Sequence, residues 1–460
     1  MVATAVRQQS RRPVVRPTPG WWRDAVGAAA WASLLIVVDL WVAGGGVQQL
    51  GPNGIGLSSV GRLTGLVSAD LLLLQVLLMA RLPFVERTWG QDELVRRHRL
   101  VGLWSFNLLV AHVVLITLGY AATARTGVLA ELWTLVLTYP GMLLATAGTA
   151  LLVLVVATSV RVARRRLRYE SWHLLHLYAY LGVGLVLPHQ LWTGTDFLDR
   201  PFATAFWWSA WAATAASVVG CRVGLPAWRS WRHRLLVREI VREGPGVVSV
   251  HLTGRHLERL PVRAGQFFTW RFLSGPGWTH GNPYSLSAAP DGRSLRITAR
   301  DSGRLAALRP GTRVLVEGPY GRLTADVRTR RKVAVLASGI GITPGLALMQ
   351  EIASPAGDAV VVHRVSTEAD RLFADELRDL AASGVRVVTA VGHRVSGRAS
   401  WLPAGAAHLS DREALLRVVP DLLERDVFVC GPPPWTEAVL AAARAAGASP
   451  TQLHVEHFSW

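Results

Sequence analysis

The sequence has little cysteine and few acidic residues. Cys221 and Cys430 are the only two cysteines among 460 residues, and they lie far apart without Cys-x-x-Cys spacing. This spacing argues against a disulfide framework and a cysteine-rich zinc site, and it fits a reducing compartment. Acidic residues number 31 against 49 basic ones, which gives a formal net charge of +18. Many of the arginines flank apolar runs, where they act as topology signals and not as a nucleic-acid surface.

Apolar residues are unevenly distributed along the chain. Half of all residues are hydrophobic, 19 are Trp, and the mean hydropathy is +0.28, which is high for a soluble enzyme. Residues 1–230 hold 20 Arg, 10 acids and the long apolar stretches, whereas residues 231–460 hold 29 basic and 21 acidic residues. We therefore expect a lipid-embedded front half and a soluble back half, with two or three folding units in all.

Six segments are apolar over roughly the 20 residues that a helix needs to cross a bilayer. They are residues 25–43, 63–82, 100–122, 135–160, 171–192 and 202–219. Asp70 and Gln75 interrupt the second segment, and we expect both side chains to face the bundle interior, because exposure of polar groups to lipid is costly.

The distribution of arginine predicts the orientation of these spans. Nineteen Arg lie in the N-terminal tail, the loops after spans two and four, and the segment after span six, against Arg62, Arg125 and Arg200 on the other side. Since cytoplasmic loops carry the positive excess, both termini and the soluble half are predicted to be cytoplasmic.

The apolar half holds five histidines, and all lie on the third and fifth spans: His98, His112, His173, His176 and His189. An imidazole buried in hydrocarbon needs a partner, and a haem iron with two axial imidazoles provides one. His98 and His112 are 14 residues apart, which returns to within ~40° of one helix face about 21 Å further along.

On the fifth span, His176 and His189 are 13 residues apart, which leaves them roughly 140° apart on a regular helix. That helix must be distorted, and Pro188 is the residue able to do it. Depth pairs His98 with His176 and His112 with His189, and so predicts two stacked haems. His173 is an alternative to His176 for which we expect a hydrogen-bonding role; satisfied core or pore histidines are the competing interpretation.

The soluble half changes to short alternating strands separated by Gly and Pro turns. Strands are predicted at 235–240, 247–252, 266–272, 295–299 and 312–316, a spacing typical of a small antiparallel barrel. Further strands at 333–337, 359–363 and 385–390 alternate with helical or turn segments, which indicates a parallel α/β unit. The glycine-rich turn 338–344 follows the first of these strands and precedes a helix predicted from about Gly345, where backbone N–H groups can approach a pyrophosphate.

Five motifs of the soluble half together resemble those of the ferredoxin–NADP reductase superfamily. They are 282–287 (NPYSLS), 317–321 (EGPYG), 339–344 (GIGITP), 430–432 (CGP) and 456–458 (EHF). With the histidine-bearing bundle in front, the chain from about residue 21 resembles the ferric reductase and NADPH oxidase family of transmembrane flavocytochromes b.

The resemblance implies FAD, NADPH and two b-type haems as cofactors, with NADH as the alternative nucleotide. It implies that Tyr284 places its ring against the flavin and Ser285 a hydroxyl near the reactive nitrogen, that Cys430 lies near the nicotinamide, and that Phe458 covers the flavin. The implied metal ligands are His98, His112, His176 and His189. The further implied cofactor-binding residues are Asn282, Pro283, Ser302, Gly339, Gly341, Thr343, Pro344, Arg364, Ser366, Gly431 and Glu456.

The choice of nucleotide depends on the end of the second strand of the α/β unit. Arg364 and Ser366 lie there, and a guanidinium with a hydroxyl suits a 2′-phosphate, whereas no acid occupies the place of Arg364 to bind a 2′-hydroxyl. NADPH is therefore favoured. Arg364 as an ordinary surface charge is the alternative, which Glu368 and Asp370 nearby support.

The expected architecture is a multi-domain chain with a six-span α-helical membrane bundle, an antiparallel β-barrel FAD domain and an α/β nucleotide-binding domain. Residues 1–20 are a cytoplasmic basic tail, 21–225 the haem-binding bundle, 232–328 the FAD domain and 330–460 the NAD(P) domain. The expected function is a cell-membrane oxidoreductase that passes electrons from cytosolic NADPH through FAD and haem to a small-molecule or metal acceptor outside, with ferric iron as one candidate.

Other functions remain open at this point. One is a relay to a periplasmic partner protein or quinone, and another is an oxygen-reducing NADPH oxidase. Oxygen-reducing relatives often carry a further His one turn after the outer ligand, where this chain has Ile116, so superoxide production is less favoured. A polytopic transporter or sensor with a fused reductase domain is the alternative from another class.

Overall fold

The computed structural model describes residues 21–167, 169–197, 200–275, 277–301, 303–352 and 356–457. The chain divides into two compact units, of which the first ends at Cys221 and the second comprises the chain from Arg222 onward. Each unit is described by itself.

The N-terminal unit is helical throughout. Its helices are α1 (Trp21–Ala43), α2 (Gly54–Met79), α3 (Pro83–Trp89), α4 (Gln91–Ala124), α5 (Val128–Thr138), α6 (Met142–Ser159), α7 (Arg161–Arg164), α8 (Tyr169–Thr193) and α9 (Pro201–Val219). Among the described residues, α1, α2, α4, α6 and α8 are long and apolar enough to cross a membrane. The predicted membrane bundle is thus confirmed for five apolar helices.

Two of the six predicted spans differ from the candidate membrane helices, the fourth in its start and the sixth in its absence from the five. The fourth was predicted from residue 135, but the structure breaks this segment into α5 and α6, because Pro140 lacks an N–H donor and Gly141 takes a left-handed φ of +80°. The start of that span was therefore wrong, and the long helix begins at Met142. The sixth coincides with α9, which is not among the five candidate spans, so a sixth crossing stays a prediction.

The C-terminal unit begins with α10 (Leu225–His233) and a six-stranded antiparallel sheet. The strands are β1 (Leu235–Gly244), β2 (Val247–Thr253), β3 (Phe267–Phe272), β4 (Asn282–Ser285), β5 (Ser294–Arg300) and β6 (Arg313–Tyr320), in the order β4-β3-β6-β1-β2-β5. The five strands predicted here are all present, and β4 was missed because Pro283 weakens the strand signal. A bridge between Leu286 and Ile297 joins the two ends of this sheet, and its closure into a barrel stays a prediction.

A five-stranded parallel sheet follows. It comprises β7 (Lys332–Ser338), β8 (Ala359–Val365), β9 (Arg386–Val391), β10 (Arg425–Gly431) and β11 (Leu453–His457), in the order β11-β10-β7-β8-β9. Its helices are α11 (Ile342–Glu351), α12 (Ala374–Ala382), α13 (Asp411–Val418) and α14 (Pro433–Ala445), and apolar clusters bury both faces of the sheet. The three predicted strands are present, and the carboxyl ends of β7, β8 and β10 meet at one edge, where ligands bind in such sheets.

Candidate redox-cofactor sites

The four histidines predicted as metal ligands form two pairs across α4 and α8. The ring centres of His98 and His176 are 6.0 Å apart, and those of His112 and His189 are 6.5 Å apart. A metal bound by two imidazoles, with bonds of about 2 Å and ring centres about 1.1 Å behind each nitrogen, separates the rings by roughly 6 Å. Both pairs have the spacing that a bis-imidazole metal requires.

Hydrogen bonds set which nitrogen of each ring is available. The Nδ1 atoms of His98, His112 and His189 lie 3.1, 2.8 and 2.6 Å from the carbonyl oxygens of Gln75, Gly61 and Val186. In His176, Nδ1 lies 3.4 Å from Ser159 Oγ. A carbonyl can only accept, so Nδ1 carries the proton in the first three rings and Nε2 keeps its lone pair for a metal. The donor sets therefore fit haem iron.

The depth of the pairs follows from α2, which faces α4. Gly61 and Gln75, whose carbonyls accept from His112 and His98, are 14 residues apart, as the two histidines are on α4. At 1.5 Å per residue this places the pairs about 21 Å apart along the helix. The predicted pairing by depth is the pairing found.

Small residues let α2 approach His112 closely. A Cβ added to Gly65 would lie 2.5 Å from His112 Nδ1, and one added to Gly61 would lie 3.0 Å from the side chain of Ile116. Gly54 and Gly119 continue the same close contact toward the helix ends. The sequence interpretation missed these glycines, although small residues at this spacing are the known signal of close helix packing in membranes.

The turn between α5 and α6 supports His189 from the other side. A Cβ on Gly141 would lie 2.9 Å from the backbone nitrogen of His189 and 3.2 Å from the carbonyl carbon of Pro188. Pro188 lies inside α8, which continues to Thr193. His173 is exposed on the same helix and is in neither ring pair, which keeps His176 as the candidate ligand.

In the C-terminal unit, the predicted flavin residues lie on β4. Tyr284 and Ser285 pair with Phe268 and Phe267 of β3, and Trp270 Nε1 donates to the Tyr284 carbonyl at 2.9 Å. Burial, followed by the charge of Asp301, raises the pKa of the Tyr284 phenol, so it stays protonated at neutral pH. The Asn282 amide donates to the carbonyls of Trp270 and His280, so it holds the start of β4.

Three motifs that are distant in sequence meet beside this strand. A Cβ on Gly321, at φ +93°, would lie 3.2 Å from Glu456 Oε1 and 3.2 Å from Phe267, so the end of β6 contacts β11. Cys430 on β10 is in register with Glu456 and fully buried. Burial, and secondly the charge of Glu456, raise the pKa of the Cys430 thiol, which therefore remains neutral.

The glycine-rich turn adjoins the same place. A Cβ on Gly341 would lie 2.3 Å from the Cys430 carbonyl oxygen and 3.1 Å from the nitrogen of Gly431, and Gly339 has a φ of +54°. A larger residue at Gly341 would displace backbone, and the left-handed φ at Gly339 disfavours any residue with a side chain. The helix begins at Ile342 and not near Gly345, so Thr343 and Pro344 lie in its first turn, with Thr343 Oγ1 bonded to the Ile340 carbonyl at 3.0 Å.

A residue that the sequence interpretation missed, His363, supports this turn. It is fully buried on β8, and its Nε2 lies 3.1 Å from the Gly339 carbonyl. Burial lowers its pKa to about 4, so the ring is neutral and donates through Nε2. The sequence predicted residue 363 as the last residue of a strand, but gave no sign of the turn that it contacts.

The predicted nucleotide-selectivity residues have different environments. Arg364 is 4% exposed and donates to the Val365 carbonyl, whereas Ser366, just after β8, is exposed. Burial and the nearby charge of Arg394 lower the pKa of Arg364, and no ion pair joins Arg364 to a carboxylate among the described residues. The guanidinium groups of Arg364 and Arg394 lie near each other, and Arg364 has no carboxylate partner among the described residues, so their positive charge favours binding of an anion.

Two predicted contacts, Ser302 and Phe458, lie outside the described residues. Next to the first, Asp301 accepts from the backbone nitrogens of Leu305 and Ala306, both at 2.8 Å. Residues 304–307 form a turn, and two of its N–H groups donate to Asp301 and are not offered to a phosphate.

Ion pairs connect the two sheets of this unit. Arg263 contacts Glu351 at 3.0 Å and Asp326 at 2.9 Å, and Arg296 makes two bonds of 2.6 and 2.9 Å to Glu376. Glu351 ends α11, whose first turn follows the glycine-rich loop. The bond to Glu351 thus holds the C-terminal end of the helix that begins at the glycine-rich loop.

Comparison with known proteins agrees with a membrane-helix region and a reductase-like region in this chain. Residues 64–187 match the model of the ferric reductase like transmembrane component family, a range that includes His98, His112 and His176 and ends two residues before His189. The chain is 28% identical over 228 residues to NADH oxidoreductase HCR of Escherichia coli, covering 46% of this chain and 65% of that protein. It is 30% identical over 239 residues to the ferredoxin reductase component of 3-ketosteroid-9-alpha-monooxygenase of Mycolicibacterium smegmatis, covering 49% and 65%.

A third relative is the flavohemoprotein of Xylella fastidiosa, 26% identical over 246 residues, with 50% of this chain and 59% of that protein covered. The chain thus spans about two thirds or less of the length of these curated relatives. The chain is thus similar over residues 64–187 to a ferric reductase-like transmembrane component, and over about half of its length to ferredoxin reductase-type proteins.

Proposed function

We propose that this protein is a transmembrane flavocytochrome b that carries electrons from cytosolic NADPH, through FAD and two b-type haems, to an acceptor on the outer face. The observation that carries the proposal is the two histidine pairs, whose ring spacing and Nδ1 bonding suit bis-imidazole haem at two depths. We assign residues 1–20 to a basic tail, 21–225 to the haem bundle, 232–328 to the FAD domain and 330–460 to the NAD(P) domain.

When bound, FAD converts the two-electron chemistry of a nicotinamide into the one-electron chemistry that haem can accept. The residues of the chain bind the flavin and the nucleotide and orient them. Tyr284 and Ser285 present a neutral phenol and a hydroxyl from β4, and Cys430 presents a neutral thiol from β10. The turn at Gly339 and Gly341 brings backbone close to β10, with Thr343, Pro344 and Gly431 around it. We assign Asn282, Pro283, Ser302, Glu456 and Phe458 to the FAD site by the family resemblance.

The arginine distribution supports a cytoplasmic location for both termini and for the FAD and NAD(P) domains. Ferric iron is the acceptor we favour, since Ile116 packs against Gly61 where oxygen-reducing relatives often carry histidine. A relay to a quinone or partner protein is the second candidate, and α5 favours it: this short outer helix exposes Leu129, Trp133 and Leu137.

An anaerobic experiment with the purified full-length protein tests the proposal. NADPH should reduce flavin first and then two haems per chain, as seen in reduced-minus-oxidised spectra. Mixing with ferric chelate, quinone or oxygen should then reoxidise the haems at rates that identify the acceptor. Folded protein that contains flavin but no haem would refute the flavocytochrome and favour a transporter or sensor with a fused reductase domain.

The flavin site has its own test. Replacement of Tyr284 and Ser285 together by Ala should lower bound FAD or its reduction rate while haem content stays whole. Unchanged flavin kinetics would refute the assignment of β4 without affecting that of the histidines.

A further inference from the structure

The face of α10 that carries Trp228 and Trp231 is exposed. The two indoles are 50% and 66% exposed, and Val223, just before the helix, is 63% exposed. Large aromatic side chains three residues apart lie on one side of a helix, so Trp228 and Trp231 form one surface, here termed the α10 tryptophan face.

The opposite side of α10 is fixed to the antiparallel sheet. Arg229 and His233 are buried, and Arg229 donates to the Gly318 carbonyl. The Ser230 hydroxyl contacts both the nitrogen and the carbonyl of Val316, at 3.1 and 3.4 Å. The helix is therefore rigidly attached to β6, the strand that leads into the Glu317–Gly321 motif.

The charge around the face has one sign. From residue 200 to residue 238 the chain has six arginines and no acidic residue. The guanidinium of Arg232 lies 5.3 Å from the ring centre of Trp228, so a cation is part of the tryptophan face itself. The apolar helix α9 ends at Val219, only six residues before α10 begins.

We propose that the α10 tryptophan face binds the anionic surface of the bilayer, with the indoles at headgroup depth and Arg232 against lipid phosphates. Trp and Arg beside a membrane helix are the residues that membrane–water interfaces select, and basic juxtamembrane segments are attracted to anionic lipid. Through Arg229 and Ser230, this contact fixes the orientation of the antiparallel sheet relative to the membrane. The proposal does not depend on which cofactors the chain binds.

Lipid is the occupant that the observations favour over a protein. The segment enters directly from an apolar bundle helix, and its uniform positive charge complements anionic headgroups. A second copy of this chain would bring an identical positive face, and like charges facing each other repel.

The test uses the full-length protein in nanodiscs that hold one copy each, made from phosphatidylcholine alone or with phosphatidylglycerol. An Ala227→Cys variant in a Cys221→Ser background carries a fluorophore on the exposed side of α10, and nitroxide-labelled lipid serves as quencher. A matched label at Ala441→Cys, on an exposed helical position of the nucleotide-binding part, is the control. Trp228→Ser/Trp231→Ser and Arg232→Gln are combined with the first label.

We expect quenching at position 227 to be at least about twofold greater with anionic lipid and to fall when salt is raised, because the Debye length shortens. Arg232→Gln should reduce the anionic increment, and the tryptophan double variant should abolish quenching, with unchanged circular dichroism. The label at 441 should not respond. Quenching at 227 that is independent of lipid charge and of both tryptophans would overturn the proposal. So would protection of position 227 that is absent from the single-copy discs and appears only in a second set of discs assembled with two copies each.

Discussion

The two halves of this protein hold their candidate cofactor residues by different means. In the helical bundle, imidazole side chains are oriented by backbone carbonyls of a neighbouring helix, as with His112 and Gly61, and close helix approach depends on glycine. In the C-terminal unit, the critical groups are backbone turns at strand ends, such as Gly341 against Cys430, and an ion pair between Arg296 and Glu376 joins β5 to α12.

The difference follows from the solvent of each half. In hydrocarbon every helix satisfies its own backbone, so side chains alone remain to bind a metal, and each must find an acceptor for its second nitrogen. In water, strand ends and turns expose N–H groups that can receive an anion. Side-chain substitutions should therefore be most damaging in the bundle, and added Cβ atoms should be most damaging in the nucleotide loop.

The largest effect is expected from the outer histidine pair. His112→Leu or His189→Leu should remove the outer haem alone and leave half the pigment, because the inner pair has its own ligands. Haem content by pyridine haemochrome and NADPH-reduced spectra measure this. His173→Leu, on the same helix but in neither pair, should keep both haems. Equal loss of both haems from each single variant would contradict the pairing.

Gly341→Val tests the other half. Its Cβ would lie 2.3 Å from the Cys430 carbonyl, a backbone atom that cannot rotate away, so either the loop or β10 must shift. Flavin reduction by NADPH should fall by about two orders of magnitude or more, since ångström-scale misplacement costs roughly 100-fold. Haem content should be unchanged. Gly405→Ala, which has nothing within 4 Å, is the control; normal stopped-flow reduction in Gly341→Val would contradict the assignment of the loop.

Arg364→Ala should weaken NADPH binding by about one to two powers of ten, since a charge-assisted hydrogen bond contributes roughly 1.5–3 kcal/mol. NADH binding should change little, and flavin reduction at saturating NADPH should stay near normal. The measurement is the nucleotide dependence of flavin reduction. If Arg364→Ala weakens NADPH and NADH binding equally, or if the wild type prefers NADH, Arg364 does not determine selectivity between the two nucleotides.

A glycine in the bundle gives a smaller and more local effect. The Cβ of Gly65→Ala would lie 2.5 Å from His112 Nδ1 and should displace that ring from its bond to Gly61. Groups that orient a metal ligand typically contribute 10–100-fold in affinity, so outer-haem occupancy should fall while the inner haem is retained. Gly184→Ala on α8, with nothing within 4 Å, should match the wild type. An intact outer-haem spectrum in Gly65→Ala would show that the bundle tolerates the added Cβ.

The smallest effect concerns pH and His363. Folding lowers the pKa of His363 from 6.5 to about 4, so as the pH falls the unfolded chain binds a proton before the folded chain does. The contribution of His363 to stability is therefore full above pH 6.5 and decreases as the pH falls toward 4. The maximum loss is about 3 kcal/mol, and near pH 5 a decrease of several degrees in the unfolding midpoint follows. His363→Gln can still donate to Gly339 and should lose less between pH 7.5 and 5 in scans of the C-terminal unit. Parallel curves for the two proteins would contradict this.

The sequence alone determined the features that depend on period and chemistry. Apolar runs of bilayer length identified five of the long helices, and alternating strands identified both sheets, because burial of one face requires these patterns. The spacing of His98 and His112 on one helix face predicted that each would pair with the histidine of α8 at the same depth. The motif 339–344 predicted a close backbone approach, because only glycine permits it.

Only the tertiary structure decided which distant segments meet. Three such contacts join residues far apart in sequence, and no local pattern encodes them. The carbonyls of Gly61 and Gln75 accept from His112 and His98, His363 contacts Gly339, and Glu456 lies beside Gly321. The break at Pro140 and Gly141 is different, because Pro-Gly is a local turn signal that the sequence interpretation overlooked inside an apolar run. Residue type fixes what a side chain can do, whereas helix packing and strand order fix which partner it meets.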